Sequence, residues 1–451
     1  MFKKIEIWIL YIVIVFFLLF SFIPGFIIYL DFAYDKKIPI ATNTIKFIVD
    51  LPIKVVDILI SRGLNVKVNR PYSKKITSVL KNSDHNFLGE KYSKSMYLLS
   101  SSWDHKMQQT VIDFIDLNTF EVKKKIIPDF KEIRKRLDVN NVYMLKDISG
   151  SRELKSQAPL LTIDGGLVFQ AGAIVKIKSS GAIDWVNAEK KFHHSLALDE
   201  EGNIWSPSRN YPFTITNIKH QQLFLEDAIT CISPKGKILF DRSLVAIFFK
   251  NNIGYKLFKD HGFEKIKQDP FHLNDIEPVL ENGKYWKKGD LFLSLRNLSM
   301  ILLYRPANDS IIWYSEGNTN KQHDIDILNE NEISIFNNDS FVFEDYNRKT
   351  SNNNITIYNF DTKQFRSYFE NSFDKYKIRT PTQGLHTILD SGELYVEESD
   401  NGRHLFFDTD GKLVWQIFNY SKETNSFYKY NWSRLIHEKK EIDLLENFLK
   451  N

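Results

Sequence analysis

A short unit recurs along this chain: a polar residue, a glycine, then a strand-like run. It reads Ser180-Gly181-Ala182-Ile183-Asp184-Trp185, Glu201-Gly202-Asn203-Ile204-Trp205 and Lys235-Gly236-Lys237-Ile238-Leu239. It returns as Ser391-Gly392-Glu393-Leu394-Tyr395 and as Asp410-Gly411-Lys412-Leu413-Val414-Trp415. Glycine at a fixed place in a tight turn supplies positive φ at no steric cost, so each unit marks a turn into a strand. From about residue 90 onward, runs of Ile, Leu, Phe and Tyr alternate with turn residues and helical periodicity nearly vanishes. Many short strands with regular turn signals mean a sandwich, a barrel or a propeller. The stretch is far too long for one sandwich. Repeated hairpins favour an all-β propeller, whose blades protect their own edges, and at four strands per blade roughly six blades fit.

The chain can fill such a core. Of its 451 residues 43% are hydrophobic and 14% aromatic, which excludes a disordered chain. The net charge of +4 is mild, and basic residues cluster only at Lys123 to Lys125 with Lys131, Arg134, Lys135 and Arg136. No nucleic-acid motif accompanies them, so no nucleic-acid partner is expected. The lone cysteine, Cys231, excludes an intrachain disulfide and reads as a small core residue in a strand.

Lys3 and Lys4 precede an almost wholly apolar run from Ile5 to Leu30 with no small-residue cleavage site. About twenty apolar residues cross a bilayer core, so the run reads as an uncleaved transmembrane anchor that tolerates Pro24 and Gly25. Lys3 and Lys4 favour a cytoplasmic N-terminus, so the body is expected to face the periplasm or otherwise lie outside the cytoplasm, although Lys36 and Lys37 partly balance them. Thr42 to Ile60 reads as a helix lying on the membrane or packed against the propeller. Asp129 to Leu137 reads as a short helix on an outer loop, and Arg434 to Leu449 as a helical tail. The expected division is an anchor over 1–35, a membrane-proximal segment over 36–89, the propeller over 90–435 and a helical tail over 436–451.

Four histidines open apolar strands: His194, His272, His323 and His386. The first strand of each propeller blade lines the central channel, so four such imidazoles would share one funnel. A lone histidine in such a place is usually a hydrogen-bonded core or turn residue; four in one register point to a site. The remaining histidines, His85, His105, His193, His220, His261, His404 and His437, show no such register and read as structural. Asn274 follows His272 by two and would face the same way on a strand. Arg296 lies on the expected next strand. A buried guanidinium needs an anion, and its fork matches sulfate, phosphate or carboxylate, unless a neighbouring Asp or Glu pairs with it. No metal is expected, because the histidines lack ligand spacing and Arg296 would repel a cation. Asp408-Thr409-Asp410-Gly411 lacks the later glutamate of a calcium loop and reads as a hairpin turn.

Several of these segments resemble the arylsulfotransferase family that works without a nucleotide donor. Gln322-His323-Asp324 through Phe336-Asn337-Asn338 is similar to its Gln-His segment leading to an acidic turn, which here is Asn337-Asn338-Asp339. His272-Leu273-Asn274 with Ser294-Leu295-Arg296 resembles its His-x-Asn and Ser-x-Arg pair. His194 falls where the family has another histidine, and Gly402-Arg403 through Trp415 resembles its closing blade. The likeness covers about residues 90 to 420. It implies a six-bladed propeller, without cofactor, that moves a sulfuryl group from a phenolic sulfate donor to a phenolic acceptor through a sulfated histidine. Carried over, His323 is the nucleophile, His272 and Arg296 act with it, and His194 and Asn274 bind substrate. The family's disulfide has no counterpart here, and His386 stands where the family has no histidine; the register adds it as a substrate-binding residue.

The chemistry suits these residue types. A neutral imidazole, with an ordinary pKa near 6.5, is a nucleophile at pH 7. One donor such as Arg296 on the transferring oxygens is typically worth roughly 3 kcal/mol of barrier. A second histidine can protonate the leaving phenolate, and the kinetics would be ping-pong. Two other readings stand beside this one: a non-catalytic propeller that binds a glycan, peptide or protein at its funnel, and a hydrolase or lyase acting on a sulfated or anionic polymer.

Overall fold

The computed structural model describes residues 67, 72–83, 86–92, 94–150, 152–215, 224–258, 268–340 and 353–450. The expected anchor over 1–35 and the surface helix at Thr42 to Ile60 lie outside the described residues. Among the described residues no helix is long and apolar enough to cross a membrane.

Six antiparallel sheets follow one another as the blades of a propeller. Their innermost strands, in blade order, are Arg434–Ile436, Gln157–Leu161, Ala197–Leu198, Leu273–Pro278, His323–Ile327 and Leu385–Ile388. The expected glycines sit in the turns. Gly181, Gly236 and Gly411 join the third strand of a blade to the fourth, with φ of 85°, 81° and 73°. Gly202 and Gly392 join the first strand to the second. Between blades lie apolar layers such as Trp415 stacked on Phe406, ring centroids 5.4 Å apart, with Tyr395 and Trp432 in the same cluster. Cys231 is buried on the third strand of blade 3, in a core cluster shared with blade 4, as the sequence suggested.

The ring is closed at two places. Arg434–Ile436 pairs with Tyr97–Asp104 as the innermost strand of blade 1, and Phe87–Gly89 pairs with Leu413–Phe418 as an extra outer strand of blade 6. Both segments depart from the sequence expectation. Phe87–Gly89 falls inside the expected membrane-proximal segment, and Arg434–Ile436 at the start of the expected helical tail. An open blade would leave a row of unpaired backbone groups, so edge pairing prevails over the helical pattern that begins further on. The tail helix spans Lys439–Lys450 and buries Leu445 and Phe448. The other short helix, Phe130–Lys135, is capped by Asp129 and buries Phe130 and Ile133, so it is part of the core between blades rather than a loose outer loop.

Two devices shape the channel. The first is a run of side chains that bind the backbone of the next blade's innermost strand. Ile276 N–H donates to Ser195 Oγ at 3.2 Å, Ile325 N–H to Asp275 Oδ2 at 2.7 Å and His386 N–H to Asp324 Oδ2 at 2.7 Å. Trp432 and Ser433 N–H donate to Glu397 at 3.0 and 2.7 Å. The second is a left-handed residue at or just before each innermost strand: Trp432, Ala158, His194, His272, Asp324 and Gln383, with φ of 57°, 51°, 65°, 54°, 39° and 58°. None is glycine. Each such conformation costs about 1–3 kcal/mol and persists only where its surroundings over-determine it, most often at functional sites.

Candidate functional site

The left-handed residues turn the chain inward where blades 3, 4 and 5 begin, and this brings three of the predicted histidines together. The rings of His194 and His272 are 4.9 Å apart, and those of His194 and His323 are 6.3 Å apart. Trp432, from the closing segment, lies against both His194 and His323, at 6.1 and 6.2 Å.

Each histidine is oriented by a partner. His323 is fully buried, and its Nδ1 lies 2.6 Å from Asn338 Oδ1. The Asn338 amide nitrogen donates to the Thr380 and Gln383 carbonyls, so its oxygen is the acceptor and His323 Nδ1 carries the proton. His323 Nε2 therefore holds the lone pair, which accepts Gln383 N–H at 3.1 Å. His272 Nδ1 lies 2.5 Å from Asp269 Oδ2, its side chain is 24% exposed, and its Nε2 has no hydrogen-bond partner among the described residues. His194 Nδ1 meets His193 Nδ1 at 2.7 Å, and His193 Nε2 is 3.0 Å from Asp227 Oδ1. Arg209 braces this layer, reaching Asp227 at 2.6 Å and Asp269 at 3.2 Å.

Arg296 follows the strand Leu291–Leu295 directly. It donates to Asn297 Oδ1 at 3.0 Å, and no carboxylate among the described residues forms an ion pair with it. Asn274 is fully buried but turns toward the chain: its amide donates to the Gln322 carbonyl at 2.9 Å, next to His323, and its Oδ1 has no partner. It positions the His323 segment. His386 does not join the cluster. It lies inside its strand and not ahead of it; Gln383 takes the inward-turning place in blade 6. Buried His386 instead has Nδ1 2.8 Å from Asp324 Oδ2 and Nε2 2.8 Å from Ser334 Oγ.

The protonation states follow from the burial. Desolvation, and then the charge of Arg296, push the His323 imidazole down to about 3. Burial with the neighbouring His272 and His193 holds His194 well below its ordinary value, and burial followed by Arg209 lowers His193 to about 4. Asp269 runs the other way: against desolvation, the His272 hydrogen bond and the Arg209 charge hold its carboxyl far below the usual range. The histidines that meet here are thus uncharged around neutral pH at His193, His194 and His323.

Two cavities lie along the channel. One, of about 510 Å³, is lined by His193, His194, His272, Gln383, Lys155 and Arg152, among others. The other, of about 300 Å³, is lined by Asp275, Glu277, Asp324, Asp326, His386 and Trp432. Trp432 thus touches the histidines and also walls the acidic cavity. Among the described residues, Asp324, Asp326 and His386 are the one His/Asp group whose donor atoms all lie within 4.8 Å, so a cation would be held there if anywhere, away from the histidine cluster. Asp275 and Asp324 already serve as inter-blade clamps. Asp326 makes no such bond, and burial followed by the Asp324 charge pushes its carboxyl up to about 7.

Sequence reasoning missed His193, Asp269, Arg209, Gln383 and Trp432. The left-handed places they occupy or support carry no sequence signature, because the residues there are not glycine.

No curated protein sequence matches the chain. A protein of unknown function from Bacteroides caccae shares 15% identity at a TM-score of 0.47, covering 77% of this chain and all of that one. Virginiamycin B lyase from Staphylococcus aureus gives 10% identity and a TM-score of 0.39, covering 78% of this chain and 98% of that one. A streptogramin B lyase gives 11% identity and 0.35, covering 62% and 93%. These likenesses are too loose to bear on the site. The family model described as arylsulfotransferase (ASST) matches residues 157–420, more than half of the chain and a span that contains His194, His272, Arg296 and His323. This chain belongs to the arylsulfotransferase family.

Proposed function

We propose that the protein transfers a sulfuryl group from a phenolic sulfate ester to a phenolic acceptor through a sulfohistidine formed at His323. The observation that carries this reading is the meeting of three oriented imidazoles beside a guanidinium with no carboxylate partner. His323 Nε2 attacks sulfur; the N–S bond forms as the S–O bond to the aryl ring breaks. The leaving phenolate takes a proton from His272 Nε2, whose other nitrogen is held by Asp269. The acceptor phenol then returns a proton to His272 and attacks sulfur, restoring His323. Gln383 N–H, which caps Nε2 at 3.1 Å, must let go of the lone pair as attack begins and is then placed for a sulfuryl oxygen. Arg296 takes the remaining charge. The apolar run Ile5 to Leu30 would tether the enzyme to a membrane with its body outside the cytoplasm.

His272 is the second candidate for the nucleophile, because its Nε2 is free of partners. The test uses the full chain in detergent with 4-nitrophenyl sulfate. Mixed without an acceptor, wild type should release a burst of nitrophenolate and carry a sulfuryl group on the peptide containing His323; adding phenol should make release continuous. His323→Ala should show no burst. His272→Ala should keep a burst, since nitrophenolate leaves without a proton, and lose transfer to phenol. A burst that survives in His323→Ala and vanishes in His272→Ala would reverse the two roles. No turnover with any phenol pair would move the weight to a propeller that binds without reacting.

A further inference from the structure

The cavity beside the histidines holds more positive charge than one sulfate ester can use. Arg209 is bound by Asp227 and Asp269, Lys191 by Asp147, and nearby Lys429 by Asp400. Lys155 and Arg152 line the same cavity, yet neither makes an ion pair or a side-chain hydrogen bond among the described residues. Lys155 sits just ahead of the innermost strand of blade 2, three residues before the left-handed Ala158, and is half-buried. Burial strips its ammonium of water, and Lys429 and Arg152 repel it further, so its pKa falls against the weaker attraction of Asp400 and Glu153. A flexible side chain that stays in such a place without a partner is held ready for an anion.

The charge count sharpens this. Arg296 suffices for the single negative charge of a sulfate monoester, and a phenol acceptor is neutral. Lys155 and Arg152 remain in the cavity without an ion pair, and Glu153 between them offsets one of their two charges, which leaves one positive charge for a further anion. We propose that the natural donor is an aryl sulfate whose ring carries a second anionic group, a carboxylate, sulfate or phosphate, and that Lys155 with Arg152 binds that group. This rests on the sulfuryl-transfer reading for its chemistry, but the anion site itself does not.

The test compares two donors of the same shape, 4-carboxyphenyl sulfate and its methyl ester. The ester has the better leaving group, so intrinsic reactivity favours it. Wild type should nevertheless prefer the carboxylate in kcat/KM by about tenfold, the worth of one well-placed charged contact. Lys155→Gln combined with Arg152→Gln should bring the ratio to one or below, and Lys155→Arg alone should keep the preference. A ratio that the double variant leaves unchanged would overturn the proposal while leaving sulfuryl transfer intact. Binding of the unreactive dianion 4-sulfobenzoate, followed by calorimetry, separates the other case. Binding to wild type that weakens about tenfold or more in the double variant, with no turnover of any donor, would uphold the anion site and sink the enzymatic reading. Equal or absent binding in both proteins would overturn the anion site as well.

Discussion

At His323 one neutral acceptor and one backbone N–H fix which nitrogen can react. Asn338 is a neutral acceptor that orients the ring; its hydrogen bond favours the imidazolium, but less than burial and Arg296 disfavour it. Burial and Arg296 then keep the ring deprotonated, with a pKa pushed down to about 3. The sign matters: a base whose pKa is lowered stays unprotonated, and so nucleophilic, well below its ordinary 6.5. The burst rate with 4-nitrophenyl sulfate, read by stopped flow, should therefore stay flat between pH 7.5 and 5. A rate that halves near pH 6.5 would show His323 titrating as it does in water. The histidines of this cluster were legible because each opens a strand, a register that survives folding. His386 satisfied the same criterion and fails in space, since the inward turn of blade 6 falls at Gln383, three residues earlier. Asp269 was invisible because it lies in the loop before its strand, where no periodicity tells which side chains return to the ring.

The innermost strands carry the architecture and the chemistry together. Their left-handed residues aim the histidines, and the clamps between blades hold those residues in place. Glu397, on the strand Leu394–Glu398, is fully buried and accepts from Trp432 N–H, Ser433 N–H and Ser399 Oγ. Removing it leaves two backbone donors unpaired in a dry place, at about 1–3 kcal/mol each. Glu397→Ala should lower stability by about 3 kcal/mol in urea unfolding, and Glu397→Gln, which keeps one acceptor, by less. An Ala variant as stable as wild type would mean that the last blade is held by packing alone. The hairpin turns of two of these strands were plain in the sequence, since Gly202 and Gly392 need positive φ. The closing strand was not: Arg434–Ile436 is too short to show alternation, and the helical pattern of Ile442, Leu444, Leu445 and Leu449 runs up against it.

For the whole molecule, closure is the decisive event. Blade 1 takes its innermost strand from the C-terminal end of the chain, and blade 6 takes an outer strand from Phe87–Gly89. A chain that stops after Tyr430 would leave blade 1 open and remove Trp432. The intact protein should unfold in urea with one transition shared by tryptophan fluorescence and far-ultraviolet circular dichroism, and the shortened chain should lose that coincidence. A chain lacking only 439–450 keeps the closing strand and should retain one transition at a lower midpoint, since Leu445 and Phe448 no longer cover the core. Coincident transitions in the shorter chain would show that the blades cohere without closure.

Trp432 stands next to His194 and His323, yet it belongs to the segment that locks the ring. A nascent chain therefore carries all three histidines well before their surroundings are complete, and the cluster is finished only once the segment with Trp432 has been made and seated.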